Sequence, residues 1–177
     1  MPTLTLPSNI IHILPFSQSD IPLIVQSFAK YNWDKPAATF ETYWKEQQGE
    51  ERKIWLAFYE DEFAGYVTLK WQSSYSSFRE QGIPEIMDLN VLPSYRGKGV
   101  GTALLNCAET EALSRKKSII GIGVGLYEEY GNSQKLYVAR GYTPDGLGIT
   151  HNYSRIQYGD KVVLDDDLVL WFTKKLN

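Results

Sequence analysis

The chain has 177 residues, of which 43% are hydrophobic and 14% aromatic, with a formal net charge of −3. That length and apolar content exclude a disordered segment and fit a single domain over residues 1–177 with a core of its own. The acidic balance lacks the basic stripe that a nucleic-acid partner demands, and no apolar run is long enough for a membrane span.

A single cysteine, Cys107, rules out an internal disulfide, and His12 and His151 have no second ligand at metal spacing, so no metal is expected. The chain does not open on a basic region followed by an apolar run, which makes the cytoplasm the expected compartment.

Residues 10–14 read as a first strand. Ser19 and Asp20 then offer capping oxygens, Pro22 suits a first helical turn, and Ile21, Ile24, Val25 and Phe28 share one helical face. A second helix is expected over 39–48, stopped by Gly49. Residues 53–59 and 63–71 are strand-like and joined by the acidic turn Glu60-Asp61-Glu62, a hairpin pattern. Residues 73–84 are polar and aromatic, and read as a loop. Residues 85–91 form a strand closed by a Leu92-Pro93-Ser94-Tyr95 turn.

Residues 102–112 hold no Gly or Pro to break a helix; Val100, Ala103, Leu104, Cys107, Ala108 and Glu111 recur at its period, which makes Cys107 a packing residue. A strand over 118–126, a short helix over 132–140 and a last strand over 168–172 follow. Residues 145–167 suggest an irregular loop or an extra hairpin.

The stretch Arg96-Gly97-Lys98-Gly99-Val100-Gly101 carries the chemistry. Strand, glycine-rich turn and helix in that order make an anion site. Glycines admit a ligand close to the backbone, and the unpaired N–H groups of the first helical turn point at it with the positive end of the helix dipole. Arg96 and Lys98 add charge, so the ligand should carry phosphates. A nucleoside-triphosphate loop would need Ser or Thr after the lysine, where this chain has Gly99. A dinucleotide fingerprint would need a different glycine spacing and an acidic residue at the end of the next strand. The plain alternative is a tight turn whose glycines only set geometry.

The strand over 120–126 has a second peculiarity. Ile120, Ile122, Val124 and Leu126 lie on one face, and Gly121, Gly123 and Gly125 on the other. A bare face marks either tight packing or the approach of a ligand or another backbone.

Leu89-x-Val91-x-Pro93-x-x-Arg96-Gly97-x-Gly99-Val100-Gly101 resembles the coenzyme-A signature of the GNAT superfamily, the acetyl-CoA-dependent N-acetyltransferases. Leu136-Tyr137-Val138-Ala139-Arg140-Gly141-Tyr142 is similar to that superfamily's second block, with Tyr142 where Phe is usual. The resemblance runs from about residue 54 to 143. It implies an α/β (α+β) fold: a mixed, mostly antiparallel sheet of about six to seven strands flanked by helices. The signature strand and the glycine strand would be splayed apart, with the pantetheine arm in the gap.

The resemblance also implies a division of labour. The backbone of Leu89, Asn90 and Val91 would pair with the pantetheine amides, and the amide near Leu89 would stabilise the oxyanion. Arg96, Gly97, Lys98, Gly99, Val100, Gly101 and Thr102 would hold the pyrophosphate. Relatives often carry an asparagine where this chain has Tyr130, and Asn132 is the nearest residue for that coenzyme contact. Tyr137 matches the tyrosine beside the coenzyme sulfur; a phenol, with a pKa of about 10, suits protonation of a departing thiolate. Glu85, four residues before Leu89 and so on its strand face, is first choice for the base. Asp88, on the opposite face by alternation, is second, and Glu128 and Glu129 could act through water. Among the aromatic residues Trp33, Tyr43, Trp44, Trp71, Tyr75 and Phe78, Trp71 and Tyr75 are the candidates for touching the acceptor.

The expected reaction is transfer of acetyl from acetyl-CoA, with no metal, to a primary amine, foremost on a small molecule. A lysine or N-terminal amine of a protein and a non-catalytic acyl-CoA-binding module are the competing readings. No nucleic acid or membrane is an expected partner, and the frequency of homodimers among relatives brings that assembly into consideration.

Overall fold

The computed structural model describes residues 10–177; the expectation about the N-terminal segment falls in part on residues 1–9, outside that range. β1 (Ile11–Pro15) leads into a short 3-10 turn at Gln18–Asp20 and then α1 (Ile21–Ala29). The cap differs from expectation. Asp20 Oδ2 accepts from the Ser17 N–H at 2.8 Å and the Ser17 hydroxyl at 2.9 Å, so Ser17 rather than Ser19 closes the turn with Asp20. Pro22 stands in the first turn of α1, and Ile21, Ile24 and Phe28 are buried, as their spacing requires. α2 (Ala37–Gln48) follows, then β2 (Arg52–Tyr59) and β3 (Glu62–Lys70). Glu60 and Asp61 join these strands with φ of 48° and 66°, the two left-handed positions of a type I′ hairpin turn, taken here without glycine.

Residues 73–84 are not a plain loop, for they contain α3 (Ser76–Gln81). Gly82 stops that helix with φ of 64°, and Pro84 stands two residues further on. β4 (Glu85–Val91), α4 (Val100–Ser114), β5 (Ile119–Gly125) and α5 (Gly131–Ala139) come next. Of the two readings of residues 145–167 the extra hairpin is what forms, β6 (Thr143–His151) with β7 (Ser154–Arg155), before β8 (Leu168–Lys175). With those additions the open sheet has eight strands, in the order β1-β2-β3-β4-β5-β8-β6-β7. β4 pairs parallel with β5, whereas β1–β2, β5–β8, β6–β8 and β6–β7 are antiparallel. The β4–β5 register covers only Glu85 with Gly121 and Ile86 with Ile122, while β5 pairs with β8 along all of its length.

The chain packs as two compact units, one up to Leu69 with Asp88–Ala108, the other Lys70–Met87 with Glu109–Asn177. The core of the first is aromatic: Phe28 meets Phe63 and Tyr66 edge-on, and Phe40 meets Tyr66 and Tyr43 likewise. Trp33 stacks on Phe28 at 5.6 Å and Trp44 packs on Phe16 at 6.0 Å, so three of the sequence's aromatic candidates belong to this packing.

The second unit answers the question of the bare glycine face. A Cβ on Gly121 would come within 2.1 Å of the Phe78 ring, one on Gly123 within 2.9 Å of Trp171, and one on Gly125 within 2.4 Å of Tyr130. Large rings of the protein itself fill the space those glycines leave, which is the packing reading.

α4 is rotated from the expected face. Val100, Leu104, Leu105, Ala108, Glu109 and Ala112 are buried, while Ala103, Cys107 and Glu111 are only half-buried.

Candidate active site

Within the first unit, a 3-10 turn at Pro93–Tyr95 carries the chain from β4 into the glycine loop. Arg96, Gly97, Lys98 and Gly99 are exposed; Val100 is buried, and Gly101 and Thr102 lie half-buried in the first turn of α4. Gly97 and Gly99 have φ of 71° and 86°. A Cβ on Gly97 would meet nothing within 4 Å, and one on Gly99 only Ile11 Cδ1 at 3.7 Å. Backbone conformation, not crowding, therefore demands glycine here. The loop cations rest on rings: the Arg96 guanidinium lies 5.3 Å from the centre of Trp33, and the Lys98 ammonium 4.7 Å from that of Tyr59.

Leu89, Asn90 and Val91 are half-buried on β4. A Cβ on Gly65 of β3 would lie 2.2 Å from the Asn90 carbonyl oxygen, so this end of β4 is seated against backbone that only glycine permits. Asp88 breaks the strand pattern with φ of 48°. Two-residue alternation does not carry through that position, and the inference that put Glu85 and Leu89 on one face and Asp88 on the other loses its basis.

Asp88 has surroundings of its own. The Tyr43 hydroxyl donates to its Oδ2, and the Arg52 guanidinium lies 4.1 Å from the Tyr43 ring centre. Arg52 is buried, donating to Glu46 Oε2 at 2.5 Å and Thr68 Oγ1 at 2.7 Å. Burial, and next to it the Asp88 carboxylate, push the Tyr43 phenol above its ordinary value, so it remains a donor.

Within the second unit, Glu85 is only 4% exposed, and the Ser73 hydroxyl donates to its Oε2 at 2.5 Å. Tyr75 is buried too, stacked on Trp171 at 4.3 Å with its hydroxyl donating to Asp145 Oδ2 at 2.9 Å. Burial, then the hydrogen bond to Asp145, push this phenol up to about 12. Trp71 is half-buried with the Arg115 guanidinium 4.2 Å from its ring centre; its indole Nε1 is buried and has no hydrogen-bond partner among the described residues.

Tyr137 is buried on α5, its ring 6.0 Å from that of Tyr142, and burial pushes its phenol up to about 12 against a smaller opposing effect of Ser133. Gln134 Nε2 fastens α5 to the Gly125 carbonyl at 2.8 Å. Asn132, Glu128 and Glu129 are exposed around the start of α5.

Sequence reading missed Ser73 and Glu109, since neither stands in a motif. Buried Glu109 accepts from Arg140 and Lys174 on Oε2, both at 2.8 Å, and from the Tyr142 hydroxyl on Oε1 at 2.9 Å. Among the described residues no group of His, Cys, Asp and Glu is placed to hold a metal ion, and no helix is long and apolar enough to cross a membrane.

The family model described as "Acetyltransferase (GNAT) family" matches residues 23–142, more than half of the chain. The chain belongs to that family. It is thereby an acetyl-CoA-dependent N-acetyltransferase by class. No curated protein matches it in sequence. Solved structures share its fold. The Salmonella typhimurium protein yncA, described as an acetyltransferase with its cofactor acetyl-CoA, superposes with a TM-score of 0.68 at 17% identity, covering 96% of this chain and 95% of that one. A Salmonella typhimurium acetyl transferase that modifies the N-terminal serine of ribosomal protein L7/L12 gives 0.70 at 14% identity, with 96% and 97% covered. The Escherichia coli ribosomal-protein-S18-alanine N-acetyltransferase gives 0.66 at 16% identity, with 94% of each chain covered. At such identities the likeness speaks to the fold.

Proposed function

We propose that this chain moves the acetyl group of acetyl-CoA to a primary amine on a small molecule, by direct attack of the amine on the thioester. The observation that carries the reading is the exposed glycine loop, with two left-handed glycines, two ring-supported cations and the start of α4, inside the residues matched by the family.

The loop from Arg96 to Thr102 binds the pyrophosphate through its N–H groups. The backbone of Leu89, Asn90 and Val91 pairs with the pantetheine amides, and the Leu89 amide donates to the oxyanion. Asn132 adds a coenzyme contact. Glu85 takes the proton of the acceptor ammonium, and the Tyr137 hydroxyl gives its proton to the leaving sulfur. A small acceptor is favoured by the aromatic stretch before β4, where Trp71 and Tyr75 are the residues assigned to it; Tyr75 is held there by its ring stack with Trp171. A protein N-terminal amine is the second reading, favoured by the fold likeness to enzymes described as acting on ribosomal proteins.

The test is release of free thiol from acetyl-CoA with a panel of amino acids, polyamines, aminoglycosides and N-terminal peptides. Turnover on the small amines supports the first reading, turnover on peptides alone the second, and none on any acceptor leaves a binding module. Acetyl-CoA should also raise the melting temperature, where ATP and NAD do not. Gly99→Val should abolish that rise, because a β-branched residue resists a φ of 86° and deforms the loop. A wild-type melting curve unmoved by saturating acetyl-CoA would remove the coenzyme reading.

Replacing the base gives a separate check. Glu85→Gln should reduce turnover most at low pH, where the acceptor is mainly protonated, with coenzyme affinity retained. Wild-type rates across the pH profile would transfer the role to Asp88, to Glu128 and Glu129, or to water.

A further inference from the structure

We infer that Ser73 is the positioning residue for the base: its hydroxyl holds the Glu85 carboxylate in the orientation in which it receives the acceptor's proton. The inference rests on the reading of Glu85 as base. The Ser73 hydroxyl is the donor of this bond and the carboxylate its acceptor. Ser73 Oγ accepts the Tyr75 N–H at 2.9 Å, and a hydroxyl has a single proton of its own. That proton goes to Glu85 Oε2, 2.5 Å away, the length of a charge-assisted O–H···O⁻ bond. Both side chains are buried, Ser73 at 1% and Glu85 at 4% exposure, so water competes little for the bond.

Ser73 is itself held on several sides. Arg79 Nη1 donates to the Ser73 carbonyl at 3.3 Å and the Ser74 carbonyl at 2.9 Å, tying the turn to α3. Tyr75, whose N–H orients the hydroxyl, is pinned by its stack on Trp171 and its bond to Asp145. The hydroxyl therefore presents a fixed donor to a fixed point. With Oε2 held by the hydroxyl, rotation of the carboxylate about its terminal torsion is restricted, and with it the direction of the lone pairs that take the proton. Without that bond the carboxylate is freer about its terminal torsion, whose energy wells are broad. Proton transfer needs a separation and alignment that such spreading spoils.

The experiment is a double-mutant cycle read in kcat, in the Kd for acetyl-CoA and in melting temperature. Ser73→Ala should lower kcat by roughly ten- to a hundredfold, the worth of one hydrogen bond to a charged group, with coenzyme Kd unchanged. Ser73→Thr should restore most of the rate. Ser73→Val, of nearly the volume of Thr but without the hydroxyl, should not, and that pair separates the hydroxyl from packing if the Ala variant folds poorly. In a Glu85→Gln background, Ser73→Ala should cost nothing further. Equal rates in the Thr and Val variants, or losses that multiply in the double variant, would overturn the inference and leave Glu85 as base. A Glu85→Gln variant at wild-type rate would instead overturn the base reading, and this inference with it.

Discussion

Glu109→Ala should cost the fold about 3 kcal/mol, the low end of the range for breaking a buried ion pair by removing one partner. For a chain of this size that is a fall in melting temperature of about 6–12 °C. The carboxylate is the shared acceptor of three donors, and the side chains of Arg140 and Lys174 are only 16% and 21% exposed. Removing Glu109 strands two partly buried cations beside each other and a tyrosine hydroxyl without its acceptor. The low end applies because the long Lys174 stem lets its ammonium move towards water. Burial, with the Glu109 charge next, holds the Tyr142 phenol well above its ordinary value, so it remains a donor at any working pH. Thermal and urea unfolding of the variant measure the effect. A loss below about 1 kcal/mol would mean that the cluster behaves as a solvated surface ion pair.

Glu109 also illustrates what a sequence hides. An acidic residue in a helix is usually solvated, and its partners come from 31, 33 and 65 residues away. Nothing local announces them, and the buried face of α4 keeps Val100, Leu104 and Ala108 but takes in Leu105, Glu109 and Ala112 where the period points to Ala103, Cys107 and Glu111. The same holds for Ser73, whose importance depends on the turn that sets it beside Glu85.

The glycine loop was legible because its geometry is local: consecutive residues and their φ angles make the site. β6 was not, for the opposite reason. Gly146 and Gly148 have φ of 80° and 82°, and the register with β8 shifts between Pro144 and Ile149, so no alternation survives to be read. Asp88 shows the limit of alternation inside a well-predicted strand. One left-handed residue in β4 cancels the parity argument for everything after it. The glycine face of β5 leaves packing and ligand approach both open in the sequence, and which group occupies the space is decided by Phe78, Trp171 and Tyr130, residues that only the fold brings there.

Tyr137→Phe should lower kcat by roughly 10²–10⁴-fold, the span usual for loss of one positioned acid. Negative charge develops on sulfur as the carbon–sulfur bond breaks, and a phenol supplies its proton at that moment. Burial pushes this phenol up to about 12, which keeps the proton in place through the neutral and mildly alkaline range. Its acidity is then too weak for the proton to be lost before negative charge forms on the sulfur. The Phe ring keeps the contact with Tyr142, 6.0 Å between centres, so melting temperature and acetyl-CoA Kd should change little. The loss should be nearly uniform from pH 6 to about 9, since the wild-type phenol does not titrate there. A tyrosine serving only as packing predicts the reverse, a lower melting temperature with near-normal turnover. Normal kcat in Tyr137→Phe would mean that water protonates the sulfur, and the acid would have to be sought elsewhere.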